Sequence, residues 1–469
     1  MRAIPIIIII ILTLTYVKHA FAFDAGEHAK IGDLAFSQMQ LPISNEFHNL
    51  EVDIAFSYGQ LVALSGDMYE SLEEIALNDP KILNGFFERN RNSLKQCIDR
   101  EIHSIEHSTE YSGCNDMRLA SKKLKYLTLA HDNYSHFAWH NVKYYVQYHE
   151  KALWFAQLAF WKCTKEQIQK NAVDCQDKQS KIDKLVAQSD YRNRLKSKYR
   201  KFPKLFPRKA FSKDYLKALP KDKLITLAVF SNAFADHFLT DMFSAGHLRV
   251  PRSQVDTFVE SHGEKDITYK QKKRKQGTAI SGALTQLLHN TDGYIKGISV
   301  TNSLKHQFTI RSDKQLFSAV NMLELSQEAP ALQQVVYPVN AVKASLNEVF
   351  TVITTGQNPA EDSAFAALLH APIIDFEKAQ TLHENLLEVI AENGAIKKIV
   401  NQMTSQMSLI FKGSLLLDDI DYADYLQDFI TALPLMMKAM REQIKTESAQ
   451  KNYSKRVPEP LMKGLLIIN

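Results

Sequence analysis

The chain has 469 residues, 45% of them apolar and 23% charged, with a net charge of +5. That is an ordinary soluble globular composition with enough length to bury a large core, and it suggests two or three domains. Its 16 Gly and 14 Pro are roughly half the usual share, which excludes a collagenous, linker-rich or broadly disordered chain and weighs against an all-β fold. The charge is only mildly basic for this length, and 4 Cys are too few to be the main source of stability.

In chain order, Arg2 precedes an apolar run from Ile4 to Leu14, and the run ends near Ala20-Phe21-Ala22. A positive start, a short apolar core and a small-x-small exit predict a signal peptide over residues 1–22, cleaved after Ala22. The run is shorter than the roughly 20 residues needed to span a bilayer. The expected mature chain begins at Phe23 and is secreted or periplasmic. Export permits disulfides. Cys97 and Cys114 are 17 residues apart and Cys163 and Cys175 are 12 apart, so local pairing 97–114 and 163–175 is the simplest of the three connectivities. None lies in a C-x-x-C, which argues against a cysteine-ligated metal.

From the signal to about residue 290, apolar positions recur every three or four residues, the helical period. The dense stretch Leu124–Phe160 predicts a buried helix pair, and Leu224–Phe243 behaves alike. In the C-terminal third, Phe365–Leu369, Leu382–Ile390, Ile396–Phe411 and Tyr422–Met440 read as helical. One β-branched alternation, Gly297 to Ile310, turns at Asn302-Ser303 and predicts a hairpin. The expected fold is all-α with a small β-hairpin and a helical C-terminal region. A basic insertion occupies 165–223. Within it, Arg192–Lys223 holds thirteen Lys/Arg against two Asp, a net +11, so the rest of the chain carries −6. This stretch reads either as a solvated insertion or as an adhesive surface for anionic headgroups.

There is no G-x-S-x-G elbow, Walker loop, G-x-G-x-x-G or H-E-x-x-H. What stands out is Asp236-His237-Phe-Leu-Thr-Asp241-Met-Phe-Ser-Ala-Gly-His247. His237 and Asp241 share one helix face. Gly246 is expected to end that helix and let His247 turn back toward the same point. His262 and Asp266 repeat the four-residue spacing on a second element. Three histidines and two aspartates within thirty residues suit Zn²⁺, which takes nitrogen and oxygen ligands in tetrahedral sites. His28 stands five residues after the expected N-terminus, whose free amine, with a pKa of about 7.7–8.0, can bind a metal. His136 opens an aromatic helix. His131, His140 and His149, the nearest rival ligands, read as helix-face residues.

These residues resemble the secreted bacterial zinc-dependent phospholipases C, especially the longer Gram-negative branch. The likeness runs in blocks from Phe23 to about Phe317, which implies a catalytic domain over 23–320 and sets the helical C-terminal region over 321–469 outside it. Its best pieces are Leu61-Val-Ala-Leu-Ser-Gly-Asp67, Asn133-Tyr-Ser-His136-Phe, the Asn232–Arg252 block ending Ala-Gly-His247-Leu-Arg-Val-Pro-Arg252, and Gly297-Ile-Ser-Val-Thr-Asn-Ser303. His-x3-Asp-x5-His alone is shared with the S1/P1-type zinc nucleases, which have a similar trinuclear site.

The resemblance implies three Zn²⁺. One is held by Asp67, His136, His237 and Asp241, a second by His247, His262 and Asp266. The third takes the Phe23 amine and carbonyl, His28, and Asp241 as a bridge. Phe23 replaces the family's usual Trp, which changes no ligating atom because those atoms are backbone. Asp266 stands where the lipases more often carry Glu and the nucleases Asp, and the Phe23–His28 spacing is nuclease-like. Chain length and the Gly-His-Leu-Arg-Val-Pro-Arg block favour the lipase.

The implied activity is hydrolysis of phosphatidylcholine to diacylglycerol and phosphocholine by a metal-activated water. Asp67 would orient or deprotonate that water, and Tyr69 and Phe137 are candidates to cage a choline. The implied partner is a phospholipid membrane and not nucleic acid. The alternatives are an S1/P1-like nuclease or phosphomonoesterase, and a non-catalytic membrane-binding protein with structural zinc.

Overall fold

The computed structural model describes residues 25–41, 43–50, 54–66, 69, 71–76, 96, 98–103, 133–169, 174–188, 211–263, 280–282, 284–292, 297–311, 330–392, 422–450 and 453–468. In chain order these form α1 (Ala25–Gln38), β1 (Phe47–His48), β2 (Ala55–Phe56), α2 (Tyr58–Leu64) and α3 (Leu72–Ala76). A 3-10 turn at Asn133–His136 leads into α4 (Trp139–Trp161), followed by α5 (Lys165–Gln169), α6 (Asp174–Gln188) and α7 (Lys213–Ala218). Then come α8 (Lys221–Asp241), the single turn α9 (Ala245–Leu248) and α10 (Arg252–Gly263). After these come β3 (Ile298–Thr301), β4 (Gln307–Ile310), α11 (Pro330–Thr355), a 3-10 turn at Ala366–Leu369 where the sequence reads as helical, β5 (Ile373–Ile374), α12 (Leu382–Glu392), α13 (Tyr422–Gln450), a 3-10 turn at Tyr453–Lys455 and α14 (Glu459–Leu466).

The protein is mainly helical with two small sheets, as the periodicity implies. The stretch read as a helix pair forms, in its described part, one continuous helix, α4. Residues 124–132 and Ile396–Phe411 lie outside the described residues. The expected hairpin is present: β3 and β4 pair antiparallel, Ile298 opposite Ile310 and Thr301 opposite Gln307. A third strand, β5, joins the other edge of β3 through Val300–Ile374 and Thr301–Ile373. Two-residue strands carry almost no periodicity, so neither β5 nor the β1–β2 pair is visible in the sequence.

The centre is α8, which packs along α4, α2 and α11, while α11 also meets α1 and α4. Every residue from Leu227 to Asp241 is buried, so this helix is enclosed on all sides. α1 and α2 cross with backbone nearly touching: a Cβ on Gly59 would sit 1.9 Å from the Ala29 carbonyl oxygen. Asp33 ties the crossing by accepting from the Gly59 amide at 2.9 Å and from Ser57 Oγ at 3.0 Å. Ser57 and Gln60 cap α2 reciprocally, the capping-box arrangement. The crossing brings His28 to the side of α8.

Cys163 and Cys175 are bonded, closing the loop between α4 and α6. Cys97 and Cys114 lie outside the described residues. So does most of the basic stretch. Its final part is anchored by Phe211, Leu216 and Leu219, all buried, with Phe211 edge-on to Phe155. Among the described residues no helix is long and apolar enough to cross a membrane.

Candidate metal centre

A helix buried on every face should be apolar throughout, because an unpaired polar group removed from water costs several kcal/mol, on the order of 2–7. α8 breaks that rule with Asn232, Asp236, His237, Thr240 and Asp241, all at 0% exposure. Two of these, His237 and Asp241, are one helical turn apart and point to one spot, with His237 Nε2 at 3.8 Å from Asp241 Oδ2. His28 from α1 reaches the same carboxylate, its Nε2 lying 3.5 Å from Oδ1. His28, His237 and Asp241 thus form a buried group that can hold a metal ion.

His136, at the end of the 3-10 turn, brings its Nδ1 to 2.7 Å from Asp241 Oδ2 and 3.1 Å from His237 Nε2. A tetrahedron of Zn–N and Zn–O bonds has donor–donor edges of about 3.3 Å. The contacts around Asp241, from 2.7 to 3.8 Å, bracket that length.

The rings of His28, His237 and His247 are each held through Nδ1. His237 Nδ1 lies 3.1 Å from the Val62 carbonyl and His247 Nδ1 2.5 Å from the His136 carbonyl. A carbonyl only accepts, so in the neutral rings Nδ1 carries the proton and Nε2 the lone pair. Thr240 Oγ1 gives its own proton to the Asp236 or His237 carbonyl, at 2.8 and 2.9 Å. It therefore accepts from His28 Nδ1 at 2.6 Å. Fixing the tautomer by an outer hydrogen bond is how proteins orient metal-binding imidazoles.

Burial dominates the electrostatics. It pushes His28 down to about 3, reinforced by neighbouring His136. It also holds His237 and His247 well below the usual imidazole range. The same desolvation drives Asp241 well above the carboxylate range. The pocket thus resists bare charge of either sign while offering neutral nitrogen donors. Asp241 Oδ1 is buried with no hydrogen-bond partner among the described residues. A cation between these groups satisfies that oxygen and stabilises the ionised carboxylate, so the residues fit a metal ion.

Two backbone features shape the walls. Gly66 has φ +76°, and a Cβ there would lie 2.4 Å from His237 Cδ2 and 3.0 Å from His136 Cε1. Only glycine meets both demands. Ala138 takes the rare conformation φ 50°, ψ −127°. It is held by its amide donating to the His247 carbonyl at 2.7 Å. With the ring of His247 bonded back to His136, the segments 136–138 and 247 clamp each other.

The structure brings together His28, His136, His237, Asp241 and His247. His262 belongs to α10, but its side chain, like Phe23, Asp67 and Asp266, falls outside the described residues. Tyr69 is buried at 2% exposure. Phe137, 5% exposed, lies flat on His247 with centroids 4.5 Å apart. His140 and His149 are on α4 and stand apart from the cluster. His149 bonds Asn232 Oδ1 at 2.7 Å and Glu348 Oε2 at 2.9 Å. His131 lies outside the described residues.

The role expected of Gly246 is different here. α8 ends at Asp241 with Met242 as its C-cap, and Gly246 lies inside α9. Its missing side chain makes room for His289, whose Cδ2 would be 2.3 Å from a Cβ at that position. His289 and Thr240 are the neighbours that sequence reasoning passes over. Thr240 has the signal of a polar residue on an otherwise apolar helix; His289 has none, being isolated in sequence. The arginines of the 245–252 block point inward: Arg249 clasps Asp292 at 2.8 and 2.7 Å, and Arg252 meets Asp256 and Ser281. Compared with protein families, curated proteins and solved structures, the chain matches none.

Proposed function

We propose that this protein is a secreted zinc-dependent phospholipase C that cleaves phosphatidylcholine to diacylglycerol and phosphocholine. The observation that carries the reading is the buried convergence of His28, His136 and His237 on Asp241. Each ring there has a nitrogen turned toward the carboxylate. The sequence blocks that resemble the zinc phospholipases supply the substrate class. When bound at this site, divalent zinc would neutralise phosphodiester charge and lower the pKa of a water toward 7.

The chain's own residues have separable tasks. His28, His136, His237 and Asp241 would hold metal, and both oxygens of Asp241 face imidazoles. His247 stands beside them, its Nδ1 bonded to the His136 carbonyl and 3.7 Å from Asp241 Oδ1. Val62, Thr240 and the His136 carbonyl keep the rings in register. Asp67 is the proposed group that orients or deprotonates the attacking water. Support comes from Gly66, the residue before it, where a Cβ would run into the His237 and His136 rings. The burial of the cluster excludes bulk water and lengthens the reach of its electrostatics.

The test is release of phosphocholine from phosphatidylcholine vesicles, abolished by a strong chelator and restored by Zn²⁺. Single-stranded DNA and RNA are offered at equal enzyme concentration. Turnover that survives complete zinc removal overturns the reading. Preferential hydrolysis of nucleic acid replaces it with an S1/P1-like nuclease. Zinc binding with every substrate left intact replaces it with a membrane-binding protein whose zinc is structural.

A further inference from the structure

His247 has an unexplained half. Its Nδ1 is taken by the His136 carbonyl, and its Nε2 is buried with no hydrogen-bond partner among the described residues. A second imidazole packs against this ring: His289, from the helical residues 284–292. Its ring stands nearly perpendicular to His247, at 85°, with centroids 5.0 Å apart. His289 is itself buried, at 3% exposure. The approach depends on glycine: a Cβ on Gly246 would lie 2.3 Å from His289 Cδ2 and 2.5 Å from its Nε2.

The surroundings favour a ligand over plain packing. Phe137 covers His247 at 4.5 Å and meets His289 edge-on at 6.5 Å, which keeps water from the pair. Asp292, the nearest buried acid in sequence to His289, has both oxygens engaged by Arg249 and one also by Asn385. Asp292 and the Asn290 side chain, whose Oδ1 lies 3.3 Å from His289 Nδ1, favour the charged ring, but burial outweighs both and keeps it neutral. Two neutral imidazoles side by side in a dry pocket suit a borderline cation such as Zn²⁺.

We propose that His289 joins His247 in holding a second metal ion, separate from the one at His28, His237 and Asp241. This rests on the metal-dependent reading above. It adds a donor that the resemblance does not include, since that pattern gives His247 only His262 and Asp266 as partners.

The experiment counts zinc in the full mature chain. Protein stripped with chelator is dialysed against Zn²⁺, and bound metal is measured by elemental mass spectrometry for wild type, His289→Gln and Gly246→Ala. The glycine variant keeps every donor atom and displaces only the His289 ring. Each variant is expected to lose one zinc per chain, or to bind its weakest zinc about 10–100-fold less tightly, with unchanged far-UV circular dichroism. Wild type that binds zinc, with both variants matching it in number and affinity, overturns the role of His289 alone. Wild type that binds no zinc overturns the metal-dependent reading itself. If His289→Gln does not fold, Gly246→Ala decides.

Discussion

Thr240 Oγ1 lies 2.6 Å from His28 Nδ1, joining the first described helix to the last turn of α8 across 212 residues of sequence. The hydroxyl is bound to α8's own carbonyls, so it holds the imidazole proton and leaves Nε2 turned to Asp241. Thr240→Val keeps the shape and removes the acceptor. Metal affinity, measured by chelator competition, is expected to fall about 10–100-fold with the fold retained. Thr240→Ser should restore most of it, and equal affinity in wild type and Thr240→Val would show that His28 needs no such support.

The metal-free protein should lose stability in acid. Burial lowers the folded His28 pKa to about 3 from the ordinary imidazole value of 6.5, and His237 and His247 are depressed in the same direction. Below 6.5 the unfolded chain binds more protons than the folded one, so stability is full above 6.5 and is lost as pH falls toward 3. Asp241 is raised, so its contribution has the opposite sign and is lost as pH rises. Among the described residues burial also lowers His140, His289 and His370 and raises Asp236 to about 7, so six imidazoles stand against two carboxyls and the histidines set the net direction. The melting temperature of chelator-treated protein should drop between pH 7.5 and 5; a flat profile over that range contradicts the buried neutral rings.

Gly66→Ala puts a Cβ into a backbone at φ +76° and against the His237 ring. Strain of this kind costs about 1–3 kcal/mol, and the displaced ring should weaken metal binding as well. Both effects are read from urea midpoints with and without Zn²⁺. If the variant lost stability but bound zinc normally, the contact with His237 would not matter to the site.

Arg249 and Asp292 form a two-pronged ion pair at 1% and 0% side-chain exposure, and Arg249 also donates to the Gln380 carbonyl at 2.6 Å. This links the segment just after His247 to the C-terminal residues. Arg249→Met leaves a buried carboxylate without its cation, a loss of about 3–5 kcal/mol. Asp292→Leu added to it should recover much of that loss in chemical denaturation. A double variant as unstable as the single one would mean that the Gln380 bond carries the effect.

The legible parts of this protein are those set by short-range geometry. The i, i+4 pairing of His237 with Asp241 follows from the helical repeat alone. So does the helical character of Leu224–Phe243 and Leu382–Ile390. The hairpin turning at Asn302-Ser303 is equally local. The Cys163–Cys175 bond spans only 12 residues, short enough for the nearest pairing to be the right one.

Gly246 marks where that logic stops. A glycine after a helix reads locally as a helix stop, yet here it serves a contact with His289, a residue from a separate helical stretch. The approach of Thr240 to His28, of Gly66 to His237 and of Arg249 to Asp292 has the same character. Each depends on how whole helices cross, and each partner is dozens to hundreds of residues away. The sequence by itself determined the helical class, the hairpin and the donors that lie on one helix face. Only the tertiary structure decided which imidazoles meet around Asp241 and which nitrogen of each ring turns inward. Those outcomes depend on packing an enclosed helix against its neighbours, where burial sets the charge state and outer hydrogen bonds set the tautomer.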